Sequence, residues 1–179
     1  SEGGDDAWFV LSPAVSDGAV TVLIDFKPEI GAIQGWTLGL CHDPAAVRLA
    51  TFGASAALST IHNGYLPEFY VCEEATHGPR SGIVQAAILA YTEPLVLPAV
   101  EGGFPVLEAR YDVLEESSVG ICGGLQGSGQ PVTTALTIHG TSHVPSQLPS
   151  TSLLEKPYAE KLTYRVEPPQ SSEVVTVKK

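Results

Sequence analysis

The sequence contains no Met, a single Asn, and only 9 Lys and Arg among 179 residues. Against 20 Asp and Glu, the scarce cations leave a formal net charge of −11. Grasping nucleic-acid phosphates takes a basic stripe, so a general nucleic-acid binder is excluded. An anionic membrane surface is excluded as a partner for the same reason. No apolar run approaches the roughly 18 residues a spanning helix needs, so no membrane span is expected. The lone Asn63 is followed by Gly64-Tyr65 and forms no N-glycosylation acceptor. GxGxxG, P-loop, GxSxG and HExxH patterns are all missing, which removes the commonest sequence signs of nucleotide, hydrolase and metalloprotease chemistry. Cysteines are few and odd in number. Cys41, Cys72 and Cys122 include no CxxC pair, so a four-cysteine zinc site is excluded.

The chain opens Ser1-Glu2-Gly3-Gly4-Asp5-Asp6. That start, without Met, has the look of a processed mature end, and export to the cell exterior or surface is the expectation. In an oxidising compartment the three cysteines read as one disulfide and one leftover thiol. In a reducing one they read as small buried apolar residues.

What is present is mostly β-pattern. Hydrophobic residues make up 44%, and 18 Gly and 14 Pro punctuate the chain at short intervals. Val20, Val22, Ile24 and Phe26 alternate with polar neighbours. Trp36, Leu38 and Leu40 do the same, with Thr37, Gly39 and Cys41 on the opposite side. Residues 83–91 form a longer apolar run. In 106–114, Leu107, Ala109, Tyr111 and Val113 oppose Glu108, Arg110 and Asp112. Residues 132–139 add a β-branched stretch. Alternation of this kind, bounded by Gly and Pro, predicts half-buried strands. Seven or more in about 140 residues predict an all-β, two-sheet antiparallel sandwich. Short helices are predicted at 44–49, capped by Asp43, and at 54–61.

The order of motifs resembles that of cohesin modules over roughly residues 17–140. Asp17-Gly18-Ala19-Val20-Thr21-Val22 resembles their opening strand. Ile33 to Leu40, running into Cys41-His42-Asp43-Pro44, resembles their third strand and its Tyr-Asp-Pro turn, with His42 in place of Tyr. Gly82-Ile83-Val84 resembles the sixth strand, and Gly103 to Val113 a penultimate one. The resemblance implies a jelly-roll sandwich of about nine strands, extracellular and without catalytic activity, in which strands 8, 3, 6 and 5 build a flat face for dockerins. Residues 51–81 and the last 40 residues depart from that pattern. The implied neighbourhood of strands 3 and 8 nominates a Cys41–Cys122 bridge.

Mapped onto that architecture, Trp36, Leu38, Leu40, Val84, Ala86, Ile88, Leu107, Ala109 and Tyr111 are expected in the core. Thr37, Gly39, Gln85, Ala87, Leu89, Glu108, Arg110 and Asp112 are expected to face outward on one sheet as a partner face, flat and partly apolar. Residues 1–141 form the expected domain and 142–157 a Ser/Pro-rich linker. Residues 158–179 form an extended strand-forming tail whose Tyr164, Val166, Val174, Val175 and Val177 would carry assembly contacts. The acidity belongs to the body. Residues 1–154 hold 4 Lys and Arg against 16 Asp and Glu, whereas 155–179 hold 5 against 4. An alternating segment on a leash can add to a sheet edge.

Other chemistry is thin. The glycine-rich run 120–127 reads as a turn. His139 and His143 lie at a strand end and in the linker, a poor zinc pair, and no metal site or cofactor is assigned. Asp5-Asp6, Glu73-Glu74 and Glu115-Glu116 supply oxygens for calcium but form no ligand ladder. Residues 65–70 offer aromatics either as a sugar platform or as the anchor of a loop. The expected function is a non-catalytic extracellular structural module, self-assembling with copies of itself or another surface protein into a surface layer or filament. The alternative is recognition of a dockerin-like partner or a polysaccharide.

Overall fold

The computed structural model describes residues 7–14, 18–30, 32–126 and 131–153. In chain order these form β1 (Ala7–Ala14), β2 (Ala19–Phe26), β3 (Ile33–His42), β4 (Val47–Ala54), α1 (Ala56–Ser59), β5 (Phe69–His77), β6 (Arg80–Ile88), β7 (Phe104–Val113), β8 (Ser117–Cys122), β9 (Leu125–Gln126), β10 (Pro131–Val132), β11 (Ala135–Ile138), β12 (Thr141–His143) and β13 (Ser150–Leu153). The protein is an all-β sandwich of two antiparallel sheets, as the alternation predicts. One sheet runs β1-β2-β7-β4. The other runs β10-β9-β5-β6-β3-β11-β12, with β8 pairing β3 and β13 pairing β8. β3 shares one edge between two partners. Its first half, up to Thr37, takes β11, and Gly39 to Cys41 take β8.

The core follows the phase of each strand. Val20, Val22, Ile24 and Phe26 of β2 face Trp36, Leu38 and Leu40 of β3, all buried. Leu107, Ala109 and Tyr111 of β7 join them, as expected from the sequence. β6 is in the other phase. The register sets Trp36 opposite Ala87, Leu38 opposite Gln85 and Leu40 opposite Ile83. Residues directly opposite share a sheet face. Gln85, Ala87 and Leu89, expected outside, are therefore in the core, and Ile88 and Ala86, expected inside, are on the outer face. Val84 is buried too, but on that outer side beneath Leu125. The run 83–89 is apolar on both faces apart from Gln85, so hydrophobicity alone did not fix its phase. Gln85 tolerates burial because its polar atoms are matched. Its Oε1 accepts from Trp36 Nε1 at 2.8 Å. Its Nε2 donates to the Val106 carbonyl at 2.9 Å and to Tyr70 Oη at 3.1 Å.

Three further expectations change. Residues 44–46 form a turn and β4 starts at Val47, so no helix occupies 44–49. Asp43 still caps that turn, its carboxylate accepting from Ala45 N at 2.9 Å. A single turn of helix, α1, lies within 54–61, with Ser55 Oγ accepting from Leu58 N as N-cap. The residues expected as linker belong to the sandwich as far as Leu153, because β12 pairs with β11 and β13 with β8. These short strands, with the β9–β10 hairpin, raise the count among the described residues above the nine expected. Residues 154–157 and the tail 158–179 lie outside the described residues.

Candidate functional site: the outer face of β5, β6 and β3

Cys41 and Cys122 form a disulfide, Cα–Cα 6.0 Å, bearing out the pairing the resemblance implied. It ties β3 to the end of β8 on the outer side of the larger sheet. Immediately beyond it, β9 and β10 fold back over that surface. Leu125, fully buried, sits with Cys41, Ala75 and Val84 in a small second core, flanked by Cys122 and Val132. The fit depends on two glycines. A Cβ on Gly82 would stand 2.7 Å from Leu125 Cδ1, and one on Gly39 3.1 Å from it. Thr134 pins the flap, its Oγ donating to the Cys122 carbonyl and accepting from Gly39 N at 3.1 Å.

The flap covers one end of the face and leaves the other open. There, Phe69 stands opposite Ile88 and Val71 opposite Ala86, with Thr37 beyond Ala86 on β3. Phe69 is 39% and Ile88 40% exposed, high values for large apolar side chains on a sheet. Gly35 and Ala86 keep the surface low between them. The loop before β5 extends the patch with exposed Tyr65 and Leu66, and Tyr91 is exposed beyond β6. Glu68 marks the rim, its carboxylate accepting from Tyr91 N at 2.8 Å. Tyr70 and Cys72 point inward against the core, and burial pushes both the Tyr70 hydroxyl and the Cys72 thiol above their usual pKa ranges. A thiol kept protonated at neutral pH is a poor nucleophile.

The eight residues of the expected partner face are scattered. Thr37 borders the open patch, its hydroxyl bonded to the Thr133 carbonyl. Gly39 is on the same side of the sheet but lies beneath Leu125. Gln85, Ala87 and Leu89 are inside. Glu108, Arg110 and Asp112 are exposed, but on the outer face of the opposite sheet, because their strand is β7 of the four-stranded layer. Asp112 pairs there with Arg48 at 3.0 Å. The residues that make the open patch were missed. Their signal was the same apolar run on β6 read in the other phase. Tyr164, Val166, Val174, Val175 and Val177 lie outside the described residues.

Among the described residues, no group of three or more His, Cys, Asp or Glu is placed to hold a metal, and no helix is long and apolar enough to cross a membrane. A concavity of about 520 Å³ lies at the end of the sandwich between Cys41, His42, Asp43, Arg80, Ser117 and Ser150. It contains one carboxylate, Asp43, so a two-carboxylate glycoside hydrolysis is not available there.

Two packed antiparallel sheets with a single turn of helix among the described residues define an all-β sandwich. The fold is cohesin-like. It is similar to a type I cohesin in complex with its dockerin from Clostridium thermocellum (TM-score 0.54, 8% identity, 84% of this chain and 94% of that one). It is also similar to a cohesin of Clostridium acetobutylicum (0.54, 6%, 87% and 94%) and to the cohesin module of a family 33 glycoside hydrolase from Clostridium perfringens (0.51, 10%, 84% and 95%). No protein-family model matches the chain, and no curated protein matches it.

Proposed function

We propose that this protein is a non-catalytic recognition module acting outside the cell, which binds a dockerin-like protein partner on the open patch of β5, β6 and β3. The observation that carries the reading is the exposure of Phe69 and Ile88 in register on a sheet otherwise walled by small residues. A flat apolar patch with a polar rim is the surface of a protein interface rather than of a sugar cleft. The disulfide fits an oxidising compartment. The solved cohesin–dockerin complex of similar fold supports a protein partner. Assembly of copies through the tail has no described contact behind it, and partner recognition is what the open face favours.

A panel of purified dockerin modules, measured by biolayer interferometry against the wild-type chain and Ile88→Glu, tests the proposal. At least one micromolar-or-tighter interaction that weakens tenfold or more in Ile88→Glu is the expected result. Silence across the panel together with signal on a glycan array would replace it with polysaccharide binding.

A further inference from the structure

We infer that the concavity of about 520 Å³ at the end of the sandwich is a binding site for a sugar acid, a carboxylate that also carries hydroxyls. The inference is independent of the open patch and of any partner bound there. The concavity exists because two paired strands separate. β3 pairs with β8 from Gly39 opposite Cys122 to Cys41 opposite Gly120, and no further. β8 reaches back to Ser117 with β13 on its other side. Beyond His42 the chain turns away, the Asp43 carbonyl accepting from Ala46 N and Val47 N at 3.0 Å. The Cys41–Cys122 bridge fixes where the two strands part. Arg80 opens β6 beside the gap, next to Ser81, which stands opposite His42.

Arg80 supplies the charge. Residues 1–154 hold only 4 Lys and Arg against 16 Asp and Glu. Arg48 pairs with Asp112, and Lys27 and Arg110 have partners of their own. Among the described residues Arg80 has no ion pair and no side-chain hydrogen bond, and it is exposed at the concavity. An unpaired guanidinium in an acidic body is a fork open to a carboxylate. His42 is the second observation. It lines the concavity, is 4% exposed, and its Nδ1 is buried without a hydrogen-bond partner. Burial favours the neutral ring. A donor is orphaned in a protein interior more rarely than an acceptor, so the proton belongs on Nε2, which is left to donate to a bound group. Ser117, Ser118 and Ser150 add hydroxyls that both donate and accept. Asp43 spends Oδ1 on Ala45 N and keeps Oδ2 to accept from a ligand hydroxyl. Its charge repels phosphate and sulfate but suits a monoanion rich in hydroxyls. No Trp, Tyr or Phe lines the concavity, so a neutral sugar has no ring to stack on and the carboxylate must supply the affinity. The volume is that of an ordinary small-molecule site.

Amide NMR titrations of the full chain with galacturonate, glucuronate, galactose, glucose and inorganic phosphate test the site. The expected result is saturable shifts at residues 80–82 and 117–120 with at least one uronate. The matching neutral sugar should bind at least tenfold more weakly, and so should the uronate to Arg80→Ala. Asp43→Asn keeps the cap, since Asn caps as well. It should weaken the uronate and strengthen phosphate. Trigalacturonate separates the two sources of this chemistry: tighter binding than the monomer assigns the site to a polysaccharide, and equal binding to a free sugar acid. Uronates that leave these amides unmoved overturn the inference. So does equal binding of neutral sugars to the wild type, or of uronate to Arg80→Ala. Phosphate binding more tightly than either uronate overturns it in favour of a plain anion site. Shifts confined to β5 and β6 overturn it as well, because they would place the sugar on the open patch.

Discussion

At the scale of single residues, two buried polar side chains govern what the core tolerates. Gln85 is the only amide deep in the sandwich among the described residues, and it satisfies Trp36 Nε1, the Val106 carbonyl and Tyr70 Oη together. Gln85→Leu keeps the volume and strands the indole N–H and the carbonyl. At about 1–3 kcal/mol for each buried group left unpaired, a loss of roughly 2–4 kcal/mol is expected. Urea denaturation would show it as a lower midpoint at unchanged slope, and an unchanged midpoint would refute the network. His42 is the second case. It ends β3 on the core side, 4% exposed, with its ring edge-on to Tyr111 at 5.3 Å. Burial lowers its pKa below 6.5, and Glu74 and Asp43 oppose that shift only in part. The folded state therefore resists protonation that the unfolded chain accepts. Its contribution is complete above pH 6.5 and is lost as the pH falls from there through the depressed value. His42→Phe retains the ring contact and removes the titration. Denaturation midpoints measured from pH 8 to pH 5 should fall more steeply for the wild type than for His42→Phe, and parallel curves would count against the assignment.

At the scale of elements, the flap made by β9 and β10 depends on what β3 and β6 lack. Gly82→Ala and Gly39→Ala each place a methyl into Leu125, but their other neighbours differ. Both methyls also meet a backbone carbonyl, that of Cys122 at 2.9 Å from Gly39 and that of Leu40, closer still, from Gly82. Overpacking costs about 1–3 kcal/mol. Trimming Leu125 to Ala should relieve Gly39→Ala more than Gly82→Ala, whose tighter clash with backbone remains. A double-mutant cycle of thermal stability reads the difference, and equal relief at both glycines would place the strain elsewhere. These elements also show what the sequence makes legible. β2, β3 and β7 announce their inward faces because polar residues alternate cleanly with apolar ones. β6 does not, since Val84, Ala86 and Ile88 are as apolar as Ile83, Ala87 and Leu89, and the one polar residue points inward. A glutamine with three partners reads, in isolation, as a surface residue. The sheet membership of β7 was equally hidden, because alternation reports which side of a strand is wet and not which layer the strand joins. β9, β10, β12 and β13 run to four residues at most, too short to stand out from the turns around them.

At the scale of the whole molecule, the disulfide is the one covalent cross-link among the described residues. It closes a separation of 81 residues, so it constrains the unfolded chain across nearly half its length. In the loop-entropy picture a loop of that size is worth about 4–5 kcal/mol. Its position adds a second consequence. Cys122 is where β8 leaves β3 and the chain turns into the flap, so the bridge holds down the covering over the closed end of the outer face. Reduction should therefore act at two levels. The melting temperature should drop by roughly 10 °C, given about 2–4 °C per kcal/mol for a chain of this size. Amides of 122–126 and 131–134 should also exchange faster well below that temperature, with β5 and β6 around the open patch staying protected. Cys41→Ala/Cys122→Ala should reproduce both changes without reductant, whereas Cys72→Ser, which breaks no bridge, should reproduce neither. A drop below about 2 °C with an undisturbed flap would mean that the pairing of Gly39 to Cys41 with β8, and the seat of Leu125 over Gly39 and Gly82, hold this end of the sandwich by themselves.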